Sequence, residues 1–358
     1  MGGSFFGRVL KISTFGESHG KAVGVIIDGC PAGLKIYKHD IEKYLQRRAP
    51  ISKFSTARHE PDKFEILSGI MDNQTLGTPI CIIVENKNFN ADDYSREIFR
   101  PGHADYCYEK KFGCRDYRGG GRASGRETVA RVIAGCIAQK FLTQLEIDIR
   151  TYTYSINNIC IKKLDHHENF LFMPDKNSFA EAVNFLENMP PDDSVGGMVE
   201  CTVKNIKCGI GEPVFDKLDA QIAKAVMSIG AVKGIEFGSG FASTYLFGSQ
   251  NNDEYYFDDG VKKKSNNSGG ITGGITDGGD IIFRAAIKPT PSIAKLQNTI
   301  NNANENIQIK THGRHDKLIV PRAVVVIESM TAITLMDQIL LSCTAKFSDV
   351  KKNYFGRR

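Results

Sequence analysis

An α+β fold is predicted for this chain by three features. A few long segments carry apolar residues at helical spacing, short strands rich in Val, Ile and Phe lie between them, and the two kinds do not alternate regularly. Strict strand–helix alternation would have argued for a doubly wound parallel sheet. No fixed-period repeat and no clear linker interrupt the sequence, so a single domain over residues 1–358 is expected.

In chain order, Phe5–Phe15 and Ala22–Ile27 read as strands, and Asp40–Arg48 as a helix with Ile41, Tyr44 and Leu45 on one face. Strand-like runs follow at Lys63–Ile70 and Ile80–Val84. A strong helix is expected from Ser124 to about Leu145, where Val129, Val132, Ile133, Cys136, Ile137 and Phe141 keep the 3.6 period. Ser124-Gly125-Arg126-Glu127 has the form of a capping box at its start. Asp216–Ile229 is a further helix stopped by Gly230, while Gly234–Gly240 and Asp280–Ile287 are strands. The last long helix begins at Pro321 and carries the most apolar segment, Ala323–Leu341. Glu328 and Asp337 inside it point to a buried core helix and not a membrane span.

The net charge of +5 is too modest and too dispersed to argue for nucleic acid, and it suits small anions. Nine scattered cysteines without a Cys-x-x-Cys pair argue against a disulfide framework or a structural metal, and fit a reducing cytoplasm. The N-terminus has no basic segment followed by an apolar run, so no signal peptide is expected. The 35 glycines are clumped. Backbone is therefore asked to do something local in several places.

The densest clump is Arg118-Gly119-Gly120-Gly121-Arg122-Ala123-Ser124-Gly125-Arg126-Glu127, with Arg131 one or two turns on. A glycine run feeding a helix start, with three arginines expected to converge there, fits a phosphate or carboxylate. A flexible turn with solvated arginines is the plain alternative. No Walker-type loop occurs. Gly16-Glu17-Ser18-His19-Gly20 places a histidine in a turn between strands, suited to a general acid or to a structural role. Arg100-Pro101-Gly102-His103-Ala104-Asp105 and Gly313-Arg314-His315-Asp316 are two more such turns. Three histidine turns, two with an arginine, favour one shared site over three coincidences. Gly269–Gly274 and Lys288-Pro289-Thr290-Pro291-Ser292 fit either a planar cofactor with a phosphate tail or a packed hairpin. Arg47-Arg48 at a helix end could serve the dipole alone, and His166-His167 reads as solvated. Residues 249–270 form a polar insertion, either a solvated loop or a mobile lid.

Together these segments resemble the chorismate synthase family over nearly the whole chain. The resemblance rests on GESHG at 16–20, RPGHAD at 100–105, DYRGGGRASGRETVARVIAG at 116–135, GEPVFDKLDA at 211–220, GAVKG at 230–234, KPTPS at 288–292 and GRHD at 313–316. It implies a β-α-β sandwich, with a helical layer between antiparallel sheets and assembly as a homotetramer. It implies conversion of 5-enolpyruvylshikimate 3-phosphate to chorismate and phosphate by 1,4-anti elimination. Reduced FMN is the implied cofactor, lending electron density as phosphate leaves and taking up the C6 hydrogen at nitrogen 5. The flavin would be reduced with NADPH or by an external flavin reductase; the chain has no G-x-G-x-x-G turn opening a helix after a strand, which leans toward the external source.

Carried over residue by residue, the resemblance makes His19 the acid beside the departing phosphate and His103 the group that protonates or stabilises the reduced flavin. Asp316 would tune its nitrogen 5, with Ser18 and Ser124 as hydrogen-bonding relays. Arg48, Arg100, Arg126 and Arg131 would hold the substrate's anionic groups, with Lys53 where many relatives have arginine. Flavin contacts would come from Arg122, Ala123, Ser124, Gly230, Ala231, Gly273, Lys288, Pro289, Thr290, Pro291, Ser292 and Arg314. Lys317-Leu318 replaces the family's usual Pro-Cys after GRHD.

Overall fold

The computed structural model describes residues 3–49, 54, 62–87, 94–165, 167–310 and 316–356. Two five-stranded antiparallel sheets face each other across a layer of helices. The N-terminal sheet runs in the order Phe5–Phe6, Lys11–Phe15, Ala22–Asp28, Ile80–Glu85, Phe64–Ser68. The C-terminal sheet runs Val232–Phe237, Ile281–Ile287, Gly197–Lys204, Asp148–Ile156, Ile159–Cys160. The helix Thr128–Thr143 packs on the first sheet, Val320–Ser342 packs on the second, and these two helices pack on each other. Lys38–Arg48 and Leu218–Met227 complete the layer. The α+β class is the one the residue patterns predict, and the helical layer between antiparallel sheets is the one the resemblance implies.

Burial explains the long apolar helix. Val320–Ser342 is sheathed on all sides, and its side chains are almost continuously buried from Val320 to Gln338. Its length and composition would suffice to cross a membrane, but 83% of its most apolar window lies inside the protein. Both carboxylates within it are fully engaged. Glu328 takes a two-pronged contact from Arg47, at 2.7 Å on each arm. Asp337 accepts the backbone N–H groups of Arg8, Val9 and Leu10 at 2.8–3.1 Å.

That Asp337 contact divides the expected Phe5–Phe15 strand in two, since the chain turns between Phe6 and Lys11 to present three amides to one carboxylate. The other expected elements stand with shifted ends. The helix expected from Ser124 is α-helical only from Thr128, after a 3₁₀ turn at Gly125–Glu127. The capping box is half formed: the Ser124 hydroxyl accepts the Arg126 amide at 3.3 Å, but the Glu127 carboxylate faces inward. The Asp216–Ile229 helix is a 3₁₀ turn at Val214–Asp216 followed by Leu218–Met227. The insertion 249–270 holds a hairpin of Tyr255–Phe257 with Val261–Lys263. Its base is tied by Asp253 to the amides of Asn267 and Ser268, and by a buried Lys263–Asp277 ion pair.

Replacing Asp337 by alanine leaves three amides, that of Leu10 buried, without their acceptor. The expected cost is about 1–3 kcal/mol of unfolding free energy, read as a lower denaturant midpoint at unchanged slope. A midpoint equal to wild type would contradict it.

Candidate functional site

The GESHG turn projects from between two strands of the N-terminal sheet, Lys11–Phe15 and Ala22–Asp28, into the end of the helical layer. His19 is 3% exposed, with the Ser18 hydroxyl 3.2 Å from its Nδ1. The glycine run packs directly on it. Gly119, Gly120 and Gly121 all have positive φ, and a Cβ on Gly119 would lie 2.0 Å from the His19 ring. Only glycine both adopts that backbone and leaves room for the imidazole. The Ser18 amide donates to the Gly121 carbonyl at 3.3 Å, joining the two segments.

The arginines of the glycine-rich segment fan out and do not converge as the sequence suggests. The left-handed glycines swing the backbone between successive side chains, and each guanidinium finds a different element. Arg118 folds back on Asp116. Arg122 donates to the carbonyls of Gly16 and Thr14 and to the Thr14 hydroxyl at 2.7 Å. Thr14 in turn donates to Glu127, which also accepts from Arg131. Arg131 reaches on to the Ser228 hydroxyl at 2.6 Å and so ties this helix to the turn before Gly230.

Arg126 joins a buried cluster. Its Nε donates to the Asn86 side-chain oxygen at 2.8 Å, and its Nη1 is paired with Asp62. The other Asp62 oxygen accepts from Arg48 at 2.9 Å. Arg322 donates to the Arg48 carbonyl and, at 2.5 Å, to Asp316. Burial opposes the Asp62 charge, but the charges and hydrogen bonds of Arg48 and Arg126 outweigh it and hold the carboxyl below its usual range. Arg48 shows the opposite balance. Burial pulls it down to about 10, and the charges of Arg322 and Arg126 work against the help it receives from Asp62. Its Nε is buried without a hydrogen-bond partner. Positive charge is therefore held here under strain, in a cluster that an incoming anion would relieve.

The RPGHAD turn packs beside the glycine run, where a Cβ on Gly120 would lie 3.4 Å from Arg100 Nη2. Arg100 grips Asp105 with two side-chain bonds of 2.8 and 2.9 Å, which defines the loop. Tyr94 presents an edge to His19 at 5.3 Å between ring centroids, while its face lies 5.4 Å from the Arg100 guanidinium. His103 joins KPTPS: its Nδ1 is 2.9 Å from the Pro101 carbonyl and its Nε2 is 2.8 Å from the Ser292 hydroxyl. Burial, then the Arg100 charge, push His103 down to about 4, so the ring is neutral. A carbonyl can only accept, so Nδ1 carries the proton and Nε2 accepts from Ser292. Lys288 donates to the Gly102 carbonyl at 2.9 Å, and its own amide donates to the Ala231 carbonyl at 2.9 Å. Ala231 has a φ of 72°. A Cβ on Gly102 would meet Pro291 at 2.7 Å.

The structure thus gathers Ser18, His19, Arg48, Arg126 and Asp316 in one hydrogen-bonded series. It gathers His103, Ala231, Lys288 and Ser292 in a second, and Tyr94 and Arg100 lie between the two. Gly273 sits at an exposed hairpin tip, where an added Cβ would meet nothing within 4 Å. Ala123 is exposed at the end of the glycine run. Lys53 and Arg314 lie outside the described residues. Among the described residues, no group of histidine, cysteine and carboxylate side chains is arranged to hold a metal. Sequence reasoning missed Tyr94, Asn86, Asp62 and Arg322. Arg322 had a faint signal, a lone charge in the first turn of an apolar helix; Tyr94 had none.

Fold and site together define an enzyme of the α+β class, with two histidine turns and buried arginines gathered at one end of the helical layer. A family model described as chorismate synthase matches residues 10–340. The chorismate synthase of Lachnoclostridium phytofermentans is 52% identical over 99% of this chain and 100% of its own length. That of Lachnospira eligens is 53% identical with the same coverage. A solved crystal structure of a chorismate synthase superposes with a TM-score of 0.73 at 30% identity, covering 98% of both chains. The chain belongs to the chorismate synthase family, whose members are lyases of the final step of the shikimate pathway.

The tautomer of His103 is directly measurable. Imidazole ¹⁵N shifts at pH 5.5 are expected to show a neutral ring protonated on Nδ1. An imidazolium, or a proton on Nε2, would contradict the assignment.

Proposed function

We propose that this chain converts 5-enolpyruvylshikimate 3-phosphate to chorismate and inorganic phosphate by 1,4-anti elimination, with reduced FMN as cofactor. The observation that carries the reading is the buried arginine cluster linked through Asn86 to the His19 turn, in which His19, Arg126 and Asp316 fall within the family's motifs. In the reaction the C3–O bond breaks with its electron pair leaving on phosphate, the hydrogen at C6 departs, and a new ring double bond forms. Arg48 and Arg126, with Lys53, Arg100 and Arg131, are the proposed holders of the phosphate and carboxylates. An anion at Arg48 would restore the charge balance that burial disturbs. His19 lies at the same end as Arg126 and would place a proton on the leaving phosphate, with Ser18 beside its Nδ1.

The residues also fit a flavin. The Thr290 hydroxyl is buried without a hydrogen-bond partner, an opening for a polar ligand group within KPTPS. Lys288, Pro289, Pro291 and Ser292 flank it in sequence, the Lys288 amide is bonded to Ala231, and these with Gly230 are the proposed flavin contacts. Ala123, Ser124, Gly273 and Arg314 are further proposed contacts. Arg122 would act indirectly, since its guanidinium already holds the Thr14–Gly16 backbone. The chemistry that a bound reduced flavin supplies is transient electron density for the departing phosphate and an acceptor for the C6 hydrogen. His103, neutral on its own, would gain proton affinity beside an anionic ring, and Asp316 would adjust the local charge. NADPH and an external flavin reductase are alternative sources of reduction, separated by whether NADPH with oxidised FMN supports turnover in air.

Assembly as a homotetramer is part of the proposal. The chain exposes 19120 Å², against roughly 14,000 Å² for a compact monomer of its mass. Phe241, Tyr245, Phe247 and Phe257 are each at least 75% exposed. Surfaces of that kind mark contacts with other chains.

Anaerobic protein with reduced FMN is expected to release phosphate from 5-enolpyruvylshikimate 3-phosphate, and absence of product would sink the reading. His19→Ala should lose about 10²–10⁴-fold in kcat while FMN binding is nearly kept. Unchanged turnover in that variant would remove His19 from the chemistry.

A further inference from the structure

Asn86 follows the strand Ile80–Glu85, at the point where the chain leaves the N-terminal sheet. It is 8% exposed, and all its side-chain hydrogens are in use. The amide nitrogen donates to the Glu17 carbonyl at 3.0 Å and to the Gly20 carbonyl at 2.9 Å. The amide oxygen accepts from Arg126 Nε at 2.8 Å. No other orientation of the amide is chemically possible, because carbonyls cannot donate and a guanidinium cannot accept. The Asn86 backbone amide adds a bond to the Lys21 carbonyl at 3.1 Å.

Glu17 and Gly20 are the two ends of the turn that carries Ser18 and His19, and the Gly20 amide already donates to the Glu17 carbonyl at 3.0 Å. One side chain therefore clamps both ends of that turn and links it to Arg126. We propose that Asn86 is a positioning residue that couples the anion held at Arg126 to the placement of His19. The inference rests on the function proposed above and adds to it a route between substrate binding and the acid. The polar atoms of the Asn86 side chain are taken up by protein partners, so it acts through the turn and Arg126. Arg126 keeps its position without Asn86, because Asp62 and the Glu85 carbonyl also hold it. The His19 turn keeps its backbone bonds from Gly20 to Glu17 and from Ser18 to Gly121, but among the described residues Asn86 is the side chain that joins the Glu17 and Gly20 carbonyls to each other and to Arg126. Loss of Asn86 should therefore fall on the chemical step and spare binding.

The test uses the full chain with reduced FMN under anaerobic conditions. Asn86→Ala is expected to lower kcat about ten- to hundredfold, while the calorimetric Kd for enolpyruvylshikimate phosphate changes less than about threefold. Arg126→Lys keeps the charge but loses the Nε contact. Once that link is cut, adding Asn86→Ala should lower kcat by clearly less than it does in the wild-type background. If Asn86→Ala fails to fold, Asn86→Asp serves. It keeps the acceptor for Arg126 but has no hydrogens for the two carbonyls, and the same fall in kcat is expected. A kcat equal to wild type, or a loss confined to Kd, overturns the proposal. Amide exchange of the Gly16–Gly20 peptide reads the clamp without turnover: it should rise in Asn86→Ala, and unchanged exchange overturns the clamp. Failure of the wild-type chain to release phosphate would instead count against the proposed function alone.

Discussion

Burying Arg48 and Arg126 on one carboxylate is the constraint from which the rest of the site follows. Two guanidinium groups share Asp62, a third cation, Arg322, stands close enough to depress Arg48, and Arg48 retains a buried N–H without a partner. Isolated buried charge is costly, so such a cluster persists only where the surrounding fold holds it and where a ligand completes it. In the proposed function this buried positive charge is arranged before the substrate's anionic groups arrive. Electrostatic stabilisation of a leaving phosphate needs that kind of preorganisation.

The fold supplies the rigidity. Arg48 ends a helix whose preceding residue, Arg47, is locked to Glu328 in the central helix Val320–Ser342, and Arg322 begins that same helix. Asp337, further along, fastens the N-terminal strands to it. The second of those strands, Lys11–Phe15, runs directly into the GESHG turn. The two acidic residues in an otherwise apolar helix thus fix the elements that hold the basic and acidic groups of the site. Glu127 plays a similar part at the other wall, receiving Thr14 from the N-terminal sheet and Arg131 from its own helix.

The helical layer was legible because its periods are long and regular, and Thr128–Thr143 and Val320–Ser342 stand close to where their apolar spacing puts them. Asp148–Ile156 escaped notice because its inward residues include Thr153 and Ser155, buried but polar, alternating with Tyr152 and Tyr154 on the other face. Alternation of hydrophobicity is blurred in such a strand. The site shows the same divide. His19, His103 and the arginines stood out as residue types in glycine-rich turns, yet their partners did not. Asn86 and Asp62 are ordinary polar residues beside a strand, and only the tertiary structure brings them to Arg126. The convergence expected of Arg118, Arg122 and Arg126 failed for a local reason, the left-handed backbone of three glycines, which spacing alone does not reveal.

The central claim is that the buried arginines and the His19 turn form one anion chamber. A crystal structure of the full chain with FMN and 5-enolpyruvylshikimate 3-phosphate tests it most directly. The account predicts a substrate phosphate in hydrogen-bond contact with Arg126 or Arg48, within reach of His19, and with Asn86 still bonded to the Glu17 and Gly20 carbonyls. A substrate seated elsewhere, with Arg48 and Arg126 left on Asp62 alone, would contradict it.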